Sequence, residues 1–153
     1  MKKTIPTKNI YSLLQDIASY LEQLLAALNN EHNALAENNN QLIESIAQEK
    51  IILMEQLEDL EKERHQLLKD TSIDDFLQSQ PSPYAPQIKT LWQDISILSK
   101  QCDQQNNMNG IIIEKNKQHT EDALAILQGK TQNTELYSNK GKSIKASGKQ
   151  TLV

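Results

Sequence analysis

The sequence predicts an all-α protein: a long antiparallel helical hairpin plus a third long helix, forming a three-helix bundle or coiled coil, with a flexible C-terminal tail. Three observations predict it. Apolar residues recur in alternating steps of three and four, the spacing of a helical seam. Only four glycines and four prolines stand among 153 residues, so the seams run uninterrupted for long stretches. Hydrophobic residues make up 37% of the chain and aromatic residues 4%, too few for a broad core but enough for helices that meet along narrow stripes.

The first helix is expected over about 8–37. Ile10, Leu14, Ile17, Leu21, Leu24 and Leu28 step by 4, 3, 4, 3 and 4 residues. Leu13, Ala18 and Leu25 widen the stripe, as a helix with more than one neighbour requires. The seam fades at Asn29-Asn30 and returns at Leu35. Asn38-Asn39-Asn40 favours a turn, and Asn38 with Gln41 fits a capping-box pattern for the next helix.

The second helix is expected over about 40–69, with a seam of Ile43, Ile46, Lys50, Leu53, Leu57, Leu60, Arg64 and Leu67. Joined by a tight turn, the two helices make an antiparallel pair roughly 45 Å long at 1.5 Å rise per residue. Lys50 and Arg64 interrupt the seam. The simpler reading is that their stems pack while their charges reach water. The alternative is that they fix register against acids on a partner helix. Glu58 and Lys62 make an i,i+4 surface pair.

Residues 70–86 form a hinge, proline-rich over 78–86. Ser72 with Asp75 caps a short turn that offers Ile73, Phe76 and Leu77 to the core. Pro81, Pro83 and Pro86 forbid continuous helix there. The third helix is expected over about 85–128, with Ile88, Leu91, Ile95, Leu98 and Cys102 as its seam and Trp92 beside it. A polar break at 104–110 precedes Ile111-Ile112-Ile113. Gly110 costs about 1 kcal/mol inside a helix, so either the helix bends or a neighbouring backbone comes close. The isoleucine triplet spreads over about 200° of arc and cannot face one seam. Either both other helices cover it or it is an exposed binding surface. Residues 1–128 are thus read as the helical domain. Residues 129–153 are too polar to offset their ordering entropy and are read as a disordered tail, in which Leu136, Tyr137 and Ile144 are the sizeable apolar side chains before the terminus.

Charge is unevenly placed. Residues 31–75 carry twelve acids and four bases, while 130–153 carry five lysines and one glutamate. The acidic middle argues against nucleic-acid binding, which needs a basic face. The longest apolar run, Ile51-Ile52-Leu53-Met54, is far too short to span a bilayer, and no apolar core follows Met1-Lys2-Lys3, so a cytoplasmic address is expected and stable membrane insertion is not.

Residues with catalytic spacing are lacking. A di-metal bundle site needs Glu-x-x-His pairs, but Asn29, Lys62 and Asn116 precede His32, His65 and His119 by three. The histidines are read as surface groups. Phosphate loop, nucleophile elbow and metalloprotease motif are all missing from the sequence. Cys102 sits at a seam position and is read as a small buried hydrophobe. No enzyme activity, cofactor or metal is expected.

Asn106-x-x-Asn109-Gly110, then Ile112-Ile113 and Thr120-x-x-Ala123-Leu124-x-x-Leu127-x-Gly129, resembles the flagellar FlgN-like export chaperones. Leu136-Tyr137-Ser138-Asn139-Lys140-Gly141 does so too, as do Glu31-His32-x-Ala34-Leu35 and Glu49-Lys50-x-x-Leu53 with Leu57 and Arg64. The likeness spans roughly residues 10–141. It implies a bacterial cytoplasmic type III secretion chaperone that binds the terminal helices of hook–filament junction proteins (FlgK and FlgL), prevents their aggregation and delivers them to the export gate. It also implies that Tyr137, the only aromatic beyond Trp92, docks on the cytoplasmic domain of that gate. The tail departs from the family where Ser138-Asn139-Lys140 stands in place of an acidic turn. Ile111, Ile112, Ile113, Leu124 and Leu127 are the candidate cargo contacts. The competing reading is a structural or adaptor coiled coil that self-associates through its heptads, and a homodimer in the absence of cargo is left open.

Overall fold

The computed structural model describes residues 7–129, with side chains from Ile10 onward. The order is α1 (Thr7–Ala36), α2 (Asn40–Leu68), α3 (Ile73–Ser79) and α4 (Ala85–Gln128). The fold is all-α, a long hairpin with a third long helix, as the seams predict. The chain divides into two units, Met1–Asn109 and Gly110–Val153. The first is a three-helix bundle of α1, α2 and the part of α4 up to Asn109.

α1 is the middle member of that bundle. It buries twelve side chains, whereas α2 buries three and α4 four. All six residues of the α1 seam are buried, and so are Leu13 and Ala18, because neighbours lie on two sides of the helix. α2 runs antiparallel to α1, with Lys50 Nζ donating to Glu31 Oε2 at 2.9 Å. α4 runs parallel to α1: Cys102 Sγ lies 3.5 Å from the Leu21 carbonyl and Asn109 Nδ2 donates to that of Leu28 at 2.8 Å. Both pairs are offset by 81 residues, so the two seams stay in heptad phase. The α2 seam is wholly buried or half-buried, as its spacing predicts.

The hairpin turn differs from the expected capping box. Asn38 adopts φ 55°. Its N–H donates to Leu35 O at 3.2 Å and that of Asn39 to Ala34 O at 3.0 Å, the two bonds of a Schellman ending for α1. Asparagine tolerates this left-handed backbone better than most residues. Asn39, and not Asn38, then caps α2, its Oδ1 accepting from Leu42 N at 3.1 Å. Asn38 therefore ends one helix and Asn39 starts the next.

The hinge contains α3, whose Ser72 Oγ accepts from Asp75 N at 3.1 Å. Asp74 and Asp75 favour its positive N-terminal end, and Ile73, Phe76 and Leu77 are buried. Tyr84 stacks on Tyr11 at 5.6 Å between ring centroids, fixing the entry to α4 against the start of α1. Pro86 sits in the first turn of α4, where its missing N–H costs no hydrogen bond.

Arg64 follows neither reading of the seam charges. It bonds to Glu61 on its own helix, and its guanidinium lies 5.3 Å from the centre of the Trp92 ring, joining α2 to α4. Glu58 and Lys62 pair at 3.1 Å on the exposed face, as expected.

Candidate functional site

Two features bear on function, and each lies within one unit. The first is a buried polar cluster at the Asn109 end of the bundle unit. Glu31 is 2% exposed and Asn109 1%. The Glu31 carboxylate accepts from Lys50 Nζ at 2.9 and 3.1 Å and from Asn109 Nδ2 at 2.9 Å. Asn109 Oδ1 accepts from Gln105 Nε2 at 2.9 Å. The cluster thus ties all three helices at one level, and a slip of one heptad in any of them would break it. The reading in which the Lys50 charge reaches water is overturned, because it is spent on Glu31.

Sequence reasoning missed Glu31, although the signal was there. The α1 seam does not fade at Asn29-Asn30: the next steps after Leu28 fall on Glu31 and Leu35, both buried. A buried acid on one seam and a lysine on the facing seam mark a pair. Of the family-motif residues, Asn109 is buried in this cluster, Asn106 is exposed and Gly110 is exposed. Apart from its own helix backbone, no atom comes within 4 Å of where a Gly110 Cβ would stand, so no close backbone neighbour accounts for the glycine.

The second feature is the apolar surface of the second unit. From Gly110 to Gln128 every residue is exposed except half-buried Ile112. Ile111, Ile113, Leu124, Ile126 and Leu127 are large exposed hydrophobics, with Leu127 76% exposed. The helix is supported locally by Thr120 Oγ1 donating to Asn116 O and Gln118 Nε2 to Asp122 Oδ1, each at 3.0 Å. At 100° per residue, Ile113, Leu124 and Leu127 fall on one side, with Ile111 and Ile126 on roughly the opposite side. Ile126, 56% exposed, was not among the candidate contacts read from the sequence. Tyr137 and the rest of the tail lie outside the described residues.

A family model described as FlgN protein matches residues 1–144. The chain belongs to the FlgN protein family. That is a family of flagellar export chaperones and not of enzymes. Comparison with curated proteins and with solved structures found no match. In this FlgN-family chain, no three His, Cys, Asp or Glu side chains among the described residues are grouped to hold a metal ion. None of the described helices is long and apolar enough to cross a membrane. A shallow groove of about 480 Å³ between Tyr11, Gln15, Pro86 and Asp94 is open to solvent and gathers no catalytic pair.

His65 and His119 are exposed as expected, but His32 is half-buried and its Nδ1 has no hydrogen-bond partner. Cys102 is buried, and burial raises its thiol pKa above the ordinary value of 9.0, aided by the nearby charge of Asp103. A protonated, enclosed thiol is a poor nucleophile. Cys102 should therefore stay unmodified by an aromatic disulfide reagent at neutral pH and react fully once the chain is unfolded in urea. The same shift makes stability fall as pH rises above about 9, because the unfolded thiol ionises first. The Cys102→Ala variant should lack that part of the pH dependence in urea titrations.

Proposed function

We propose that this chain is a cytoplasmic chaperone for hook–filament junction proteins of the FlgK and FlgL type, which it keeps from aggregating and delivers to the flagellar export gate. The observation that carries the reading is the uncovered apolar helix side formed by Ile113, Leu124 and Leu127, with Ile111 and Ile126 exposed on roughly the opposite side. An amphipathic helix gains most by laying its apolar face on such a surface, and the family resemblance implies the terminal helices of junction proteins as that cargo. The α1 and α2 seams are consumed inside the bundle unit, which favours capture of a partner over self-association through those heptads.

The test is a calorimetric titration of the full chain with a FlgK-type and a FlgL-type protein, each intact and without its terminal helices. Saturable one-to-one binding that needs those helices is expected. Equal heats from intact and truncated proteins would sink the reading.

Tyr137 acts in delivery and not in capture under this proposal. It is the only aromatic beyond Trp92, and aromatic side chains supply large contact area at small entropic cost. Tyr137→Ala should bind cargo with affinity within about twofold of the wild type, a difference under 0.5 kcal/mol. Binding to the cytoplasmic domain of the export gate and junction-protein export should fall about tenfold or more. Equal loss of cargo and gate binding would instead make Tyr137 a structural contact.

A further inference from the structure

α2 carries an apolar patch that the bundle does not cover and the proposed cargo surface does not include. Ile51, Ile52 and Met54 are 54, 59 and 57% exposed, whereas Leu53 between them is buried. Ile51 and Met54 are one turn apart, so they form a ridge, with Ile52 one step round the helix. Ridges like this on a helix so rich in acids need a reason, because a charged residue at any of the three positions would leave the core intact.

The surroundings of the patch say what would cover it. α2 holds seven acids and three bases. All three bases are already paired with acids: Lys50 with Glu31, Lys62 with Glu58 and Arg64 with Glu61. Glu44, Glu55 and Asp59 have no ion-pair partner among the described residues. Glu44 stands two turns before Ile51, Glu55 one turn after it, and Asp59 two turns after Ile52. The patch is therefore an apolar ridge about one turn long, set among uncompensated acids that span about 22 Å of the helix. Two copies of α2 would repel each other face to face, and an anionic membrane or nucleic acid would be repelled likewise.

We infer that the Glu44–Asp59 face of α2 is a second docking surface, which takes an amphipathic helix of a partner protein whose apolar ridge is flanked by lysine or arginine. The apolar ridge supplies affinity, and the acid rim selects a basic partner and speeds its encounter. The surface shares no residue with the one on Gly110–Gln128, which belongs to the other unit.

The experiment uses the full chain and two fluorescent synthetic amphipathic helices, one of leucine and lysine and one of leucine and glutamate, read by anisotropy. The lysine helix should bind with an affinity that falls as salt rises, and the glutamate helix should not bind. Ile51→Ser with Met54→Ser should weaken binding about tenfold while circular dichroism stays that of the wild type, since both side chains are exposed. Glu55→Gln with Asp59→Asn should weaken it further at low salt than at high salt. Leu124→Asp with Leu127→Asp should leave it unchanged. Binding that ignores the Ile51 and Met54 changes, or that disappears with Leu124 and Leu127, overturns the proposal. Loss of helicity in the Ile51→Ser, Met54→Ser variant would place those side chains in the core and overturn it too.

Discussion

Replacing Lys50 with Met is expected to lower the unfolding free energy by about 3 kcal/mol, a large part of the 5–15 kcal/mol typical of a domain. The reason is what the substitution leaves behind. Glu31 is almost fully enclosed, and Lys50 provides two of the three hydrogen bonds its carboxylate receives. Without Lys50 the carboxylate keeps only Asn109 and cannot turn to water. The reverse change is milder. Glu31→Gln removes the charge from the enclosed side, while the Lys50 side chain, 17% exposed, can swing its ammonium outward. About 1 kcal/mol is expected there, the cost of an ordinary lost hydrogen bond. Glu31→Leu combined with Lys50→Met should recover most of the single-variant loss, since an apolar pair replaces a desolvated ionic one. Urea midpoints of the three variants decide it. A Lys50→Met cost within about 0.5 kcal/mol of zero would mean that solvent reaches Glu31 and that the cluster fixes no register.

How much of this was legible in the sequence follows from how local each feature is. The four elements were readable because each is written in its own residues: the α1 and α2 seams by period, the α3 cap by Ser72 and Asp75, the α4 start by its prolines. Cys102 was readable for the same reason, as a seam position predicts burial. The Glu31–Lys50–Asn109 cluster was not, because its members are 19 and 78 residues apart and only the packed bundle brings them together. Lys50 alone on a seam fits a snorkelling side chain equally well. The turn failed differently. Three successive asparagines offer three caps, and the choice of Asn39 follows from which residue can take the left-handed φ that ends α1. The isoleucine triplet gave a spread too wide for one seam, but periodicity cannot tell a helix wrapped by two neighbours from one with none. Exposure of Ile111 and Ile113 answers that from the structure alone.

Leu124→Asp combined with Leu127→Asp is expected to weaken binding of a junction protein about 100-fold while leaving the helix content unchanged. The first half follows from burial. Leu124 and Leu127 are 47% and 76% exposed, so each has apolar area left to bury against a partner, worth about 1.5 kcal/mol or more per leucine. Two such losses amount to about a hundredfold in affinity. Carboxylates set against an apolar ridge would add a desolvation cost. The second half follows from the same numbers. Side chains this exposed contribute little to their own unit, and aspartate lowers helix propensity by only about 0.7 kcal/mol per site at most. Ile111→Asp serves as a companion on the far side of the same helix and should cost little if the partner lies over Leu124 and Leu127. Calorimetry gives the affinities and circular dichroism the helicity. Full-strength binding by the double variant would move the cargo surface off the Leu124–Leu127 side. Collapse of the helical signal would make both leucines structural, and with that the Gly110–Gln128 surface would lose its place in the proposed function.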